Sequence, residues 1–303
     1  MNQFEDMQTF VRIVESGSIT KAAEQLNTAK SAVSKRLAAL EERLGVTLLN
    51  RTTRRLKLTD SGTSYYQQSL RILDDIAEVE SSLRNDNCAL SGRIKIAAPL
   101  SFGLSHLGRA LLDFNEQNPE VILDIDFNDR KIDLIEEGFD LAIRIGELTD
   151  STLIARRLTS IHLLVCASPD YLARYGNPTS PQELNNGHVK LQYTGAKELL
   201  SFSMINGTKI NIKLPAVMHS NNGKFLCQTA IEGKGILISP DFICYKAIKS
   251  GQLVPILTDY FDNPDIGAHA LYPQNRHLSK RVRSLVNYLQ QHFGEKPYWH
   301  IDC

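Results

Sequence analysis

The sequence predicts an α/β protein in three parts: an N-terminal helical unit with a small β wing, one long helix, and a C-terminal α/β region in two lobes. Three observations predict it. Phe4, Met7, Phe10, Val11 and Val14 recur at the three- and four-residue steps of an amphipathic helix. Residues 59–86 keep a four-and-three spacing of larger side chains without becoming apolar all round. From Arg93 onward short apolar runs alternate with helical patterns, which implies a mostly parallel sheet with helices on its faces. A chain of 303 residues can hold two or three domains. The stretch 92–303 is too long for one comfortable core, so two similar subdomains are expected there.

Composition narrows the function classes. Apolar residues make up 42% and charged residues 22%, the balance of an ordinary globular protein, not of a collagen-like or disordered one. The opening MNQFEDMQTF has no basic segment followed by an apolar run, so a secretory leader is not expected. No stretch approaches the roughly 18 uninterrupted apolar residues of a membrane span. Cys88, Cys166, Cys227, Cys244 and Cys303 are scattered and form no CxxC pair, which argues for free thiols in a reducing cytoplasm.

The formal net charge is zero, yet it is unevenly spread. Between residues 21 and 59, nine basic residues face only Glu24, Glu41 and Glu42, a local excess of six positive charges. A solvated basic face is one reading, and the footprint of a polyanion is the other. The helices decide between them. After the first helix, Gly17 stops the chain and Ser18 is placed to cap a second helix, ITKAAEQL. Asn27-Thr28-Ala29 then breaks it before a third helix from Lys30 to Leu44. Val33, Leu37, Leu40 and Leu44 share one face of that helix, and Ser31, Ser34, Lys35 and Ala38 share the other. Two short helices joined by a tight turn form a helix-turn-helix at about residues 19–38. An exposed helix carrying small polar and basic residues can enter a major groove. VTLLNRTTRRLKLT follows as a hairpin wing with an Arg-rich tip. Double-stranded DNA is therefore the expected partner. Its contacts are assigned to Thr20, Lys30, Ser31, Ser34 and Lys35, and in the wing to Arg51, Arg54 and Arg55, for which an ordinary solvated loop is the alternative.

These residues resemble the LysR family of bacterial transcriptional regulators, and the resemblance runs along essentially the whole chain. It is carried by FVRIVESGSITKAAEQL, SAVSKRLAALEERLGVTLLNRT and LKLTDSG. Ala22-Ala23, Leu26, Ala32-Val33-Ser34, Leu40-Glu41, Leu44-Gly45 and Arg51-Thr52 fall where the family pattern puts them. One place departs from it: many members begin the third helix with Gln-Pro, where this chain has Lys30-Ser31. Lys30 would meet a phosphate or a guanine edge, so operator preference does not transfer at that point.

The resemblance implies a winged helix-turn-helix DNA-binding domain over 1–59 and a linker and dimerisation helix over 60–88. It also implies an effector-binding domain over 92–303. Thr59 can cap the linker helix. Its seam is Tyr65, Ser69, Ile72, Ile76, Val79 and Leu83, read either as a coiled coil or as a surface helix packed on its own domain. The resemblance favours pairing, with Tyr65, Ile72, Ile76, Val79 and Leu83 as the dimerisation set. Residues 86–92 are the expected hinge. Beyond it come strand RIKIAAP, a helix marked by Leu104, Leu107, Leu111 and Phe114, strand VILDIDFND, a short helix over Ile132–Glu137 and strand DLAIRIG. The second series runs HLLVCAS, a helix around Tyr171, a hairpin turning at Asn206-Gly207, PAVMHS, a helix from Gly223, ILISP, LVPIL and GAHALYP. A final helix buries Val282, Leu285, Val286, Leu289 and Phe293. By the family arrangement lobe I takes 92–161 and 267–303 and lobe II takes 162–266, a layout resembling periplasmic binding proteins.

A ligand in such a layout sits between the lobes, beyond the carboxyl ends of the strands. Leu100, Ser101 and Phe102 lie between a strand and the next helix, where free amides can receive an anion. Asn128 follows the second strand, and Arg144 is a lone charge in an apolar strand, costly unless paired with Asp129 or a ligand carboxylate. Ser220 and Asn221 end a strand of the second lobe. These seven residues are the expected effector pocket, for a small molecule with a carboxylate slightly favoured. No GxGxxG, GxxxxGK[ST], HExxH or GxSxG occurs, and no two histidines are spaced i, i+4. Cys166 reads as a small core residue, not a nucleophile. No cofactor, metal or enzyme activity is expected. The resulting expectation is a cytoplasmic, effector-controlled transcriptional regulator that self-associates as a dimer or tetramer. The alternative is a cytoplasmic ligand-binding module whose N-terminal domain serves association alone.

Overall fold

A computed structural model describes residues 2–51, 56–84, 89–130, 132–147, 153–204, 207–261, 266–274 and 278–301. For 51, 71, 74–75, 77–79 and 81–84 only the backbone is described. The chain forms two compact units, Met1–Arg93 and Ile94–Cys303.

The first unit contains α1 (Gln3–Ser16), α2 (Ile19–Gln25) and α3 (Lys30–Leu44), then strands β1 (Leu49–Arg51) and β2 (Leu56–Leu58) and the long α4 (Asp60–Arg84). Asn2 caps α1 by accepting from the Phe4 amide, and Ser18 caps α2 by accepting from the Lys21 amide. Phe10 and Ile13 of α1, Ala22 and Ala23 of α2, and Val33, Leu37 and Leu40 of α3 close one core with Leu48 and Leu49. Ile13 was not among the apolar positions expected of α1, yet it is fully buried. The wing is an antiparallel ribbon with Leu49 opposite Leu58 and Arg51 opposite Leu56. Glu41 of α3 fastens its base, because its carboxylate accepts from the Leu48 amide at 2.8 Å and the Leu49 amide at 3.2 Å.

The second unit opens with β3 (Gly92–Ala98, whose first residues close the first unit), α5 (Leu100–Phe102), a π-turn (Gly103–Leu107), α6 (Gly108–Gln117), β4 (Val121–Phe127), β5 (Leu141–Gly146) and β6 (Leu153–Ile161). Next come β7 (Leu163–Ala167), α7 (Pro169–Tyr175), β8 (Lys190–Tyr193), β9 (Leu199–Ser203), β10 (Lys209–Lys213) and β11 (Ala216–Ser220). The chain ends with α8 (Gly223–Ile231), β12 (Ile236–Pro240), α9 (Asp241–Lys249), β13 (Val254–Pro255), β14 (Ile266–Pro273) and α10 (Lys280–Phe293). Two five-stranded sheets result, in the orders β4-β3-β5-β14-β6 and β11-β8-β12-β7-β13. Here they are called lobe I and lobe II. The chain leaves the first sheet after Ile161 and re-enters it at Ile266.

Neither sheet is mostly parallel as expected. β3 and β5 are parallel, as are β11, β8 and β12, but β14 opposes both of its neighbours and β7 opposes β12 and β13. The antiparallel strands are those at which the chain crosses between the lobes. In β7, Leu164 and Cys166 enter one core with α8 and α9, while Val165 and Ala167 enter another under the β9–β10 hairpin. A strand buried on both faces is continuously apolar. The first residue of that hairpin's expected turn, Asn206, lies outside the described residues.

Two local expectations fail for identifiable reasons. Leu104, assigned to the buried face of its helix, is 62% exposed, while His106, Leu107 and Ala110 are buried. The π-turn inserts an extra residue, so that the Gly108 amide bonds back to the Gly103 carbonyl and the register slips. Ile132–Glu137 is one turn, not a helix. The Glu137 amide bonds the Asp133 carbonyl, the Phe139 amide bonds the Leu134 carbonyl, and Gly138 at φ 76° ends the turn at once.

His106 ties the lobes together. Its Nε2–H donates to the Phe242 carbonyl at 3.0 Å, and its Nδ1 accepts from the Tyr298 hydroxyl at 2.6 Å. Phe102, Phe242 and Trp299 pack around it, and Phe293 packs in turn on Phe102 and Trp299. Burial pushes the imidazole down to about 4, so it is neutral at ordinary pH.

Candidate DNA-binding and effector sites

On the outside of the helix-turn-helix, Thr20, Lys30, Ser31 and Lys35 are exposed, and Ser34 is half-buried. Ala29, at the N-cap of α3, offers no side-chain cap, which leaves the first amides of that helix open to a phosphate. The basic excess is not all available to a partner. Arg36 is held by Glu5 at 2.7 Å, and Arg43 lies 3.8 Å from the buried Asp6. Lys21, Lys30, Lys35 and Lys57 stand exposed. Arg51 sits at the end of β1 with its side chain outside the described residues, where Arg54 and Arg55 also lie.

Thr59 joins the wing to α4. Its hydroxyl donates to the Thr47 carbonyl at 2.7 Å and accepts from the Gly62 amide at 2.9 Å. The first turns of α4 then pack on α1: Tyr65 lies 5.4 Å from Phe10 between ring centroids, and Ser69 is buried. Tyr65 thus has a place in the core of its own unit, not on an open seam. Farther along, Ile72 is 42% exposed and Ile76 half-buried. The side chains of Val79 and Leu83 lie outside the described residues.

In lobe I, the carboxyl ends of β3, β4 and β5 converge. The Leu100 amide, expected to be free for an anion, donates to the Asp129 carboxylate at 3.2 Å, and the Gly103 amide bonds the Pro99 carbonyl. Ser101 is buried at the start of α5. Phe102 belongs to the aromatic cluster around His106, so its ring is core and does not line a pocket. Asn128 accepts from the Arg130 amide at 3.1 Å, and its Nδ2 is a buried donor with no partner among the described residues. Arg144, opposite His269 in the β5–β14 ladder, donates to the Arg130 carbonyl at 2.9 Å. Burial lowers its pKa, and the nearby Asp129 charge works in the opposite direction.

In lobe II, Ser220 accepts from the Asn222 amide at 3.0 Å, and Asn221 is exposed beside it. Ser220 is paired with Tyr193 in the β11–β8 ladder. Tyr193 was not anticipated. It is half-buried, and burial raises its pKa with a further rise from the charge of Asp129 in lobe I. Asp129, just past β4, and Tyr193, at the end of β8, thus lie within electrostatic reach of each other. The strand-end rule that selected Asn128 and Ser220 would have selected Tyr193 had β8 been legible.

Known proteins fit this layout. Residues 4–63 match the family model described as bacterial regulatory helix-turn-helix protein, lysR family, and residues 89–294 match LysR substrate binding domain. An HTH-type transcriptional regulator of Haemophilus influenzae is 36% identical over 287 residues, covering 94% of this chain and 99% of that one. The HTH-type transcriptional regulator CrgA of Neisseria meningitidis is 35% identical over 290 residues, 96% and 97% of the two chains. The solved structure of CrgA, a LysR-type regulator, superposes with a TM-score of 0.60 at 34% identity, over 96% of this chain and 99% of that one. The Vibrio cholerae virulence activator AphB superposes with a TM-score of 0.59 at 26% identity, over 95% and 98%. A helix-turn-helix with its basic outer face and a two-sheet effector-binding domain are both present and both matched. The chain belongs to the LysR family of bacterial transcriptional regulators.

Proposed function

We propose that this regulator binds promoter DNA through Thr20, Lys30, Ser31, Ser34 and Lys35, flanked by Arg51, Arg54 and Arg55, and answers to a small carboxylate between its lobes. The observation that carries the effector reading is the buried Nδ2 of Asn128, without a partner among the described residues, on a side chain that shares the Arg130 backbone with the desolvated guanidinium of Arg144. A donor left unmatched in a protein interior costs about 1–3 kcal/mol. A carboxylate would satisfy that donor and the cation together. Leu100, Ser101, Ser220, Asn221 and Tyr193 would complete the walls. The division into 1–59, 60–88 and 92–303, with lobe I as 92–161 plus 267–303, belongs to the same reading, as does a cytoplasmic location on DNA.

Self-association is proposed as a dimer through Ile72, Ile76, Val79 and Leu83 of α4, with further assembly through the effector domain. Open edge strands support the second step. β4 carries exposed Ile122 and Ile125, and β11 carries exposed Val217. A thermal-shift screen of small organic acids tests the effector reading. A binder should raise the melting temperature of the wild type and leave Arg144→Ala unmoved. An acid that stabilises both proteins equally, or a screen with no binder, would reject the pocket.

A further inference from the structure

Away from the DNA-facing helix and the cleft, one side-chain cluster has no part in either. His162 occupies the single position between β6 and β7, where the chain crosses from lobe I to lobe II. Asp241 is the first residue of α9, and His300 lies in the tail beyond α10. His162 Nδ1 is 3.5 Å from Asp241 Oδ2, and the two imidazole rings stand 4.7 Å apart between centroids. One ligand atom from each residue falls within 4.8 Å of the other two. The backbone holds the arrangement, because the Asp241 amide donates to the His162 carbonyl at 2.8 Å.

Asp241 is only 1% exposed. One carboxylate oxygen accepts from the Phe242 amide at 2.8 Å, but Oδ2 has no hydrogen-bond partner among the described residues, and neither does His162 Nδ1. A buried carboxylate oxygen whose only facing group is one imidazole nitrogen, at the long separation of 3.5 Å, is poorly satisfied. A cation held by both atoms resolves it.

We propose that His162, Asp241 and His300 form a site for a borderline divalent metal ion such as Zn2+, outside both the DNA interface and the effector cleft. Two imidazoles and one carboxylate suit zinc and its neighbours, whereas calcium and magnesium favour all-oxygen shells. Zinc holds such ligands at about 2.0–2.2 Å in a tetrahedron, which sets ligand atoms roughly 3.3 Å apart. The His162–Asp241 separation already matches, and a His300 ring nitrogen within 4.8 Å would be the third ligand. His162 is 41% exposed along its side chain, which puts the site near the surface, within reach of an ion from solvent. The ligands come from the interlobe crossing, from α9 and from the tail whose Trp299 packs on Phe102 of lobe I. Bound metal would staple these three segments together.

The test uses the untagged full-length protein, stripped with a chelator and titrated with zinc against a chromophoric competitor. Cobalt(II) spectra report the geometry. One equivalent per chain should bind at micromolar zinc or tighter, with a tetrahedral cobalt spectrum. His162→Gln and His300→Gln, both at partly exposed positions, should each weaken binding by at least about tenfold with an unchanged circular dichroism spectrum, and Asp241→Asn should abolish it. Equal affinity in the wild type and the two histidine variants would place the metal elsewhere and overturn the proposal. Failure of the wild type to bind micromolar zinc would overturn it as well. Effector binding is read separately through Arg144, so either idea can fail without the other.

Discussion

Gly62 of α4 lies so close to the Leu48 carbonyl that a Cβ on it would fall inside the oxygen's van der Waals shell. The obstacle is backbone, so no rotamer change relieves it. Gly62→Ala should therefore push the linker helix off the wing and cost about 1–3 kcal/mol. Chemical denaturation of the full-length protein measures this. An unchanged midpoint would mean that the helix start is free to shift.

Lys30→Ala and Lys35→Ala should each weaken DNA binding and lower the salt dependence of affinity by about one counterion, with stability within about 0.5 kcal/mol of wild type. Fluorescence anisotropy on a promoter fragment at several salt concentrations reads both quantities. Arg36→Ala is the contrast. It breaks an exposed pair with Glu5, and its effect on DNA affinity should be smaller. Loss of folding in either lysine variant would refute the exposed-face assignment.

Arg144→Ala should abolish the response to effector while leaving operator affinity in its absence unchanged. Reporter expression with and without the acid found by thermal shift, together with a DNA-binding isotherm, distinguishes the outcomes. A retained response would make Arg144 a purely structural residue.

Mild acid should loosen the His106 cluster. The folded imidazole sits at about 4, below its ordinary value of 6.5, because burial disfavours the cation, with smaller repulsions from Lys224 and Lys246. Tyr298, which faces it, is itself pushed up to about 12 by burial and by Tyr245, so it stays a neutral donor. The unfolded chain takes up this proton first as pH falls below 6.5. The His106 contribution is thus complete above that value and lost on the way down to about 4, by at most about 1.4 kcal/mol per pH unit. Urea denaturation at pH 7 and pH 5 should show a smaller difference for His106→Gln than for wild type.

Ile72→Asp combined with Ile76→Asp should shift the protein toward monomer in light scattering at micromolar concentration, because charges on a helix seam oppose pairing. Wild type that is already monomeric would remove α4 from self-association.

What the sequence made legible depended on the range of the interactions. The helices of the first unit could be read because Phe10, Val33, Leu37 and Leu40 repeat at helical steps and bury that same face. Arg144 stood out because a charge in an apolar strand is visible locally. By contrast, β8 was hidden because two of its buried residues are polar. Lys190 Nζ donates to the Glu198 carbonyl and Gln192 Nε2 to the Tyr193 and Ala196 carbonyls, so the strand carries no apolar run. Tyr193 was missed with it. The capture of the Leu100 amide by Asp129 spans 29 positions, and no local pattern announces it. β6 was also overlooked, since its exposed Arg156 and Arg157 break any alternation, although it pairs with β14 along nearly its whole length.

The placement of β14 between β5 and β6 sets an order on biosynthesis. Every other strand of that sheet has left the ribosome by Ile161, but the one that fills its gap begins only at Ile266. Translation at about 5–20 residues per second leaves that slot vacant for roughly 5–20 s. During this interval the intervening segment can finish its own sheet. The nascent polypeptide therefore matures from the inside outward, its second-made lobe closing before its first.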